Sequence, residues 1–404
     1  MKIAVLTQSY PPMVSGAALF AYHLTSALVG RGHQVLVLAA SEQKRPYRVE
    51  GANLKVVRLR SHHNPWRTGQ RFMLWQNPQI DVALRKFRPD VLHLHDPLQM
   101  AWAAISYSRS FGAPCILTVH ALPSLAAATL PALDRELENS LWIYAGWLLQ
   151  QVQTRVTPTQ TIADIVRLRT GLSCQVISCG VDLRTFYPER LPAQEEAGLR
   201  LSWNIPEGAP VILHVGRLDI DKKVDLAIMA AARAMQFVPA HLLVVGDGRK
   251  KEELVHLCEQ LGIASRSHFT GYITDSRKLS ALYRLADVFV TASEIETQGL
   301  VLLEAAACGL PLVGVDSGAV GETVKDGVNG YLVPKRDVSS LARGIKNVLL
   351  DKRLAQEMSR ASREIALRHD YALSVQAYES LYYTQIAQRR AAQDDQIVPA
   401  CRPS

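Results

Sequence analysis

Two glutamates, Glu296 and Glu304, are separated by seven residues, among them a Gln298-Gly299 pair. The run before them, DVFVTAS at 287–293, has the apolar, β-rich character of a buried strand, and Leu300–Ala307 reads as a helix. The segment is therefore strand, turn, helix. Gly299 lets the chain turn tightly, and the amides that open the following helix can hold a diphosphate. Glu296 falls in the loop and Glu304 one turn inside the helix; as bare residues they could equally be a capping carboxylate and a surface glutamate. Asp219-Ile220-Asp221 has the spacing of a metal-binding DxD, but it lies between two basic residues, Arg217 and Lys222. Three histidines could also suggest a metal: His93 and His95 alternate along DVLHLH and share a face, and His120 ends ILTVH. No carboxylate or cysteine joins them at ligand spacing. They are expected to finish their strands, with His93 and His95 lining the acceptor side.

The Glu296–Glu304 motif resembles that of the retaining glycosyltransferases of the GT-B fold (glycosyl transferases group 1, family 4), and the resemblance runs from about residue 2 to residue 388. It implies that Glu296 contacts hydroxyls of a donor sugar and that Glu304 binds the nucleotide ribose. The amides at Gly299, Leu300 and Val301 would hold the diphosphate. Val215-Gly216-Arg217, with Lys222 further on, is similar to the family's basic pair. Its chemical sense is that negative charge builds on the departing diphosphate and fixed cations stabilise it where a metal would otherwise be needed. Lys223 stands where the family often has glycine or asparagine. Ser15-Gly16, in the first β-α turn, matches a glycine-rich loop over the donor phosphates, often two glycines in the family. His120 matches a histidine that points at the reacting sugar, and Gly271-Tyr272 a loop beside the base. Gly271-Tyr272 could also be a plain strand-end turn. No metal and no cofactor is implied; the nucleotide-sugar, UDP-glucose, is a co-substrate.

These residues need strand ends to carry them. KIAVLT (2–7) and QVLVLA (34–39) flank a helical pattern with Phe20, Ala21, Leu24, Ala27 and Leu28 on one side. The β-α-β start recurs through VVRL near 56, DVLHLH (90–95) and PCILTVH (114–120), nearly continuous apolar runs of the kind buried on both faces of a parallel sheet. A second series follows in VILHVGR (211–217), HLLVVGDG (241–248), SHFTGY (267–272), DVFVTAS and LPLVGVD (310–316). The fold class predicted is α/β: two doubly wound, Rossmann-like domains facing a cleft, with a C-terminal helix crossing back to the first. Residues 1–182 form the acceptor-binding domain, completed by a crossing helix at about 372–388. Residues 183–371 form the nucleotide-sugar domain, 176–188 (VISCGVDLRTFYP) the linker, and 389–404 a disordered tail.

The chain's 404 residues, 48% hydrophobic and 20% charged, exceed what one core holds and have an ordinary globular composition. No apolar run reaches the roughly 18 residues of a membrane-spanning helix, and the start has no signal-peptide cleavage pattern, so a cytoplasmic protein is expected. The six cysteines are scattered and read as reduced thiols. The net charge of +8 is one-sided: residues 1–182 hold 18 Lys+Arg against 10 Asp+Glu, whereas 183–404 hold 27 of each. A basic first domain suits an anionic partner, or is simply a solvated face. Basic and aromatic residues mix at Arg58, Arg60, Trp66, Arg67, Arg71, Phe72 and Trp75, and LWIYAGWLL (141–149) is apolar and aromatic; both fit a membrane interface, although the second could be a buried helix. No nucleic-acid-binding module is present. Glu296-Thr297-Gln298-Gly299 resembles the subgroup that glucosylates diacylglycerol. The expected activity is thus hexose transfer to a membrane lipid by a protein peripheral on the inner face of the membrane. A polysaccharide or other glycan acceptor is the alternative, and a nucleotide-sugar epimerase or a non-catalytic glycan binder the rivals of other classes.

Overall fold

The computed structural model describes residues 1–13, 15–63, 71–73, 77–95, 99–124 and 134–397. Trp66, Arg67 and Trp75 of the expected interfacial stretch lie outside these residues, as do 398–404. The chain divides into two compact units, Met1–Ser178 with Leu373–Ser404, and Cys179–Ala372.

Among the described residues, the first unit carries an eight-stranded sheet. Its strands are β1 (Lys2–Thr7), β2 (Gln34–Ala40), β3 (Tyr47–Glu50), β4 (Leu54–Leu59), and, after a small antiparallel pair β5 (His62–His63) and β6 (Arg71–Phe72), β7 (Val91–Leu94), β8 (Cys115–Thr118), β9 (Thr154–Thr157) and β10 (Gln175–Val176). The order is β10-β9-β8-β7-β1-β2-β4-β3, parallel except where β3 runs against β4. After its first residue each of β1 and β2 is wholly buried, which is why their sequences are apolar without alternation. The strand order reverses at β1, between β7 and β2, and ligand crevices in such sheets open beyond the strand carboxyl ends at that point. The helix Gly16–Gly30 starts there, capped by Ser15, whose hydroxyl accepts from the Ala18 amide at 3.0 Å.

The helix Tyr371–Ile397 closes the first unit from the far end of the chain. Tyr378 and Tyr382 are fully buried, and Glu379 binds Arg31 and His33, each at 2.6 Å. Arg389 donates to the Gly112 carbonyl at 3.2 Å. The helix continues past residue 389, so the expected tail is helical as far as Ile397.

In the second unit six parallel strands, β11 (Val211–Val215), β12 (His241–Val245), β13 (Ser267–Gly271), β14 (Val288–Thr291), β15 (Leu312–Val315) and β16 (Gly330–Val333), run in the order β13-β12-β11-β14-β15-β16. Here the order reverses between β11 and β14. Two apolar clusters fill the unit, one containing Ile228, Val244 and Ile345, the other Leu213, Tyr283 and Leu303. The unit is tied off where Val181 and Asp370 pair as an isolated bridge, with the Val181 amide on the His369 carbonyl at 2.8 Å and the Tyr371 amide on the Val181 carbonyl at 3.0 Å.

Candidate active-site residues

The loops that follow β11 and β14 meet in the second unit through one ion pair: Lys222 Nζ lies 2.5 Å from Glu296 Oε1, with side chains only 18% and 13% exposed. Arg217, from the same loop as Lys222, binds Asp219 and also Asp221, the latter at 2.8 Å. Each of the two expected cations therefore has an acidic partner. Lys222 ends a short 3-10 turn, Ile220–Lys222, and Lys223 then takes a left-handed backbone, φ 48° and ψ 42°. That conformation explains why glycine or asparagine suits the position, since both adopt it with little strain.

After β14 the chain turns at Gly299, φ 75°, into the helix Leu300–Ala307. A Cβ on Gly299 would stand 2.9 Å from Leu302 Cδ1. Among the described residues no side chain caps this helix, so its first amide donors remain for water or a ligand. The turn after β15 holds the loop in place. The Ala319 amide donates to the Glu296 carbonyl at 2.9 Å, the Ser317 hydroxyl donates to the Glu294 carbonyl, and Gly318 approaches so closely that a Cβ would lie 2.5 Å from the Glu296 carbonyl oxygen.

Glu304 accepts a hydrogen bond from the Tyr283 hydroxyl at 2.8 Å. Burial pushes its carboxyl up to about 7, against the pull of that hydrogen bond. Tyr272 follows Gly271, which ends β13 at φ 74°. Burial and then the charge of Glu304 raise the Tyr272 hydroxyl, so the two residues share one neighbourhood. The strand ends thus bring Arg217, Lys222, Glu296, Gly299, Glu304, Gly271 and Tyr272 onto one edge of the second sheet.

Two further residues of this edge escape a reading of the sequence. His214, in the middle of β11, is buried; its Nδ1 donates to the Val290 carbonyl at 3.0 Å, and among the described residues Nε2 has no partner. Burial lowers it to about 4, with Lys222 adding to the effect and the Val290 carbonyl and Glu296 opposing it. Its only signal in the sequence is a polar residue inside the otherwise apolar VILHV. Gln298, also buried, accepts the Cys179 amide through Oε1 at 2.8 Å and so braces the linker expected at 176–188.

In the first unit, His95 Nδ1 and His120 Nε2 are 2.9 Å apart, their ring planes 6° from parallel. Phe20 packs on both rings, with centroids 5.7 and 5.3 Å away. His93 does not line a site, as the sequence reading expected. Fully buried, it binds the Tyr382 hydroxyl through Nδ1 and the Thr118 hydroxyl through Nε2, each at 2.7 Å, and so pins the C-terminal helix to the sheet. Burial drives all three rings towards neutrality, His93 to about 3, His120 to about 4 and His95 well below its ordinary value. No group of three His, Cys, Asp or Glu side chains among the described residues is placed to hold a metal ion.

Arg58 also departs from its expected surface role. It is 3% exposed and donates to the Tyr10 and Ala40 carbonyls at 3.1 and 3.2 Å and to the Pro11 carbonyl, bracing the turn after β1 from inside. Arg71 is tied to the Ser61 hydroxyl and carbonyl. The helix Asp134–Gln150, which carries LWIYAGWLL, is two-faced. Trp142, Leu148 and Leu149 are core, whereas Ile143 is 76% exposed and Trp147 stacks on Trp102 at 4.5 Å on the surface. Among the described residues no helix is long and apolar enough to cross a membrane.

Comparison with known proteins places this architecture. Residues 198–365 match the family Glycosyl transferases group 1, and residues 14–185 match Glycosyltransferase Family 4. A glycogen synthase of Mycobacterium tuberculosis is 28% identical over 390 residues, 90% of this chain and 90% of that protein. A D-inositol 3-phosphate glycosyltransferase of Salinispora arenicola is 32% identical over 316 residues, 74% and 69%. The alpha-monoglucosyldiacylglycerol synthase of Acholeplasma laidlawii is 24% identical over 346 residues, 83% and 86%. Among solved structures, sucrose-phosphate synthase from Thermosynechococcus elongatus superposes with a TM-score of 0.80 at 22% identity, covering 96% of this chain and 99% of that one. Anabaena HepE in complex with UDP-glucose gives 0.73 at 20%, covering 97% and 100%. Two Rossmann-like units, the strand-end glutamates and these matches lead to one assignment: the chain belongs to the group 1 glycosyltransferases of the GT-B fold.

Proposed function

We propose that the protein is a retaining, metal-independent glycosyltransferase that moves glucose from UDP-glucose to a hydroxyl of a membrane lipid, diacylglycerol. The observation that carries the donor half is the Lys222–Glu296 pair at the mouth of an uncapped helix. Amides of Gly299, Leu300 and Val301 take the diphosphate, Glu304 the ribose, and Gly271 and Tyr272 flank the base. Donor binding exchanges partners: sugar hydroxyls replace Lys222 on Glu296, and the diphosphate replaces carboxylates on Arg217 and Lys222. Those cations then face the negative charge that grows as the glycosidic bond breaks. The acceptor hydroxyl attacks from the face the diphosphate leaves, and a phosphate oxygen takes its proton. In the first unit His120 contacts the sugar and Gly16 the phosphates.

UDP-glucose draws support from the Anabaena HepE complex, and the lipid acceptor from the Acholeplasma laidlawii relative. The face of Ile143, Trp147 and Trp102, beside a groove of about 540 Å³ that Arg169 also lines, has the apolar and basic mix of a protein resting on anionic lipid. That fits a cytoplasmic protein peripheral on the inner membrane face. The glycogen synthase relative favours a glycan acceptor as the second reading.

The test is transfer of radiolabelled glucose from UDP-glucose to organic-extractable product, with purified protein, EDTA and anionic vesicles containing diacylglycerol. Glycolipid is expected, falling roughly 100-fold or more in Glu296→Ala. Donor turnover into glycogen but not lipid would replace the acceptor, and loss of turnover in EDTA that Mg²⁺ restores would overturn the metal-free mechanism.

A further inference from the structure

The proton between His95 and His120 has a defined owner. His95 is buried, and among the described residues its ring makes one hydrogen bond, through Nδ1 to His120 Nε2, while its own Nε2 has no partner. A neutral imidazole carries one N–H. If that hydrogen sat on Nε2 of His95, a buried donor would be orphaned, an arrangement rarer in proteins than an under-used acceptor. With the hydrogen on Nδ1, His95 donates to His120 and leaves only a lone pair unused. His120 Nε2 is then the acceptor, and the His120 hydrogen sits on Nδ1.

We propose that His95 is a positioning residue for glycosyl transfer: it donates Nδ1–H to His120 Nε2 and so holds His120 as the Nδ1–H tautomer, which meets the donor sugar with an N–H donor rather than a lone pair. Which ring nitrogen is protonated is set by the bond the other makes, and here a second histidine makes it. Phe20, against both rings, keeps them in register. The sugar oxygen facing His120 is consequently an acceptor in that contact, with its own hydrogen left to bind elsewhere. The inference rests on the reading of His120 as a sugar contact, but the tautomer itself can be read without substrate.

The experiment is long-range ¹H–¹⁵N correlation on ¹⁵N-histidine-labelled protein at neutral pH, with His120 assigned by its loss in His120→Ala, together with turnover of UDP-glucose. His120 is expected as the Nδ1–H form in the unaltered chain and as a mixture or the Nε2–H form in His95→Leu, whose kcat falls about tenfold, roughly the effect of one hydrogen bond on a barrier. In His95→Asn the side-chain amide stands where Nδ1 stood, and both the tautomer and most of kcat return. An Nε2–H ring in the unaltered chain, or a ring unchanged in His95→Leu, overturns the assignment. Full turnover in His95→Leu with loss in His120→Ala overturns the positioning role and leaves the reading of His120 standing. Full turnover in His120→Ala overturns that reading, while the spectra still decide whether His95 sets the tautomer.

Discussion

On the proposed reading of Glu304 as the ribose contact, a carboxyl that titrates near neutrality makes nucleotide binding depend on pH. Glu304, pushed up to about 7 by burial, is mostly protonated at pH 6 and mostly charged at pH 8, and ribose hydroxyls donate more strongly to the charged form. UDP should bind several-fold more tightly at pH 8 than at pH 6, and Glu304→Gln should lose that component; calorimetric titration reads it, and identical profiles for the two proteins would refute it. The strand, turn and helix that carry the two glutamates, the glycine at the turn and the basic loop after β11 were legible because their pattern is written in local spacing. His214 and Arg58 were not. The first is held by burial in the sheet and by the Val290 carbonyl, 76 residues on, and the second by carbonyls 18 to 48 residues distant.

Strands buried on both faces announce themselves as unbroken apolar runs, so β1, β2, β7, β8 and most of the second sheet could be read directly. Edge and outer strands could not: Tyr47–Glu50 is half-buried at best and Gln175–Val176 is two exposed residues, each a strand because a neighbour supplies the ladder. The C-terminal helix and its return to the first unit were legible, but its anchor was not, because His93 looked like a site residue and instead binds Tyr382. Tyr382→Phe removes the partner of His93 Nδ1 and leaves a buried polar atom unpaired, which should lower the stability of the first unit by about 1 to 3 kcal/mol. Chemical denaturation would show it, and an unchanged midpoint would mean that the anchor is packing alone.

Acid acts unequally on the whole molecule. A histidine whose folded pKa is depressed keeps its contribution above its unfolded value, near 6.5, and loses it as pH falls towards the folded value, by about 1.4 kcal/mol per pH unit. The first unit buries His93 and His95, both lowered, and holds His120, also lowered. In the second unit the buried His214 acts the same way, and burial lowers His241, His268 and His369 too. There Glu304 and Asp287, both raised by burial, gain stability as pH falls and offset those losses, an offset that the first unit's three rings lack among the described residues. Between pH 6.5 and 4.5 the first unit should therefore yield first. Tryptophan fluorescence follows it selectively, because five of the six tryptophans precede residue 179. Simultaneous loss of both units, with Tyr283 and its neighbours exposed to protease at the same pH as Trp142, would contradict this.

The chain leaves its first unit after Ser178 and returns to it at Leu373, so the second unit is an insertion within the first. During synthesis the order of completion is consequently inverted: the inserted unit emerges whole, while the unit begun earliest lacks Tyr378, Glu379 and Tyr382 until the end of the chain leaves the ribosome. A message cut short near codon 370 would yield a finished second unit attached to an incomplete first unit in which the buried His93 lacks Tyr382.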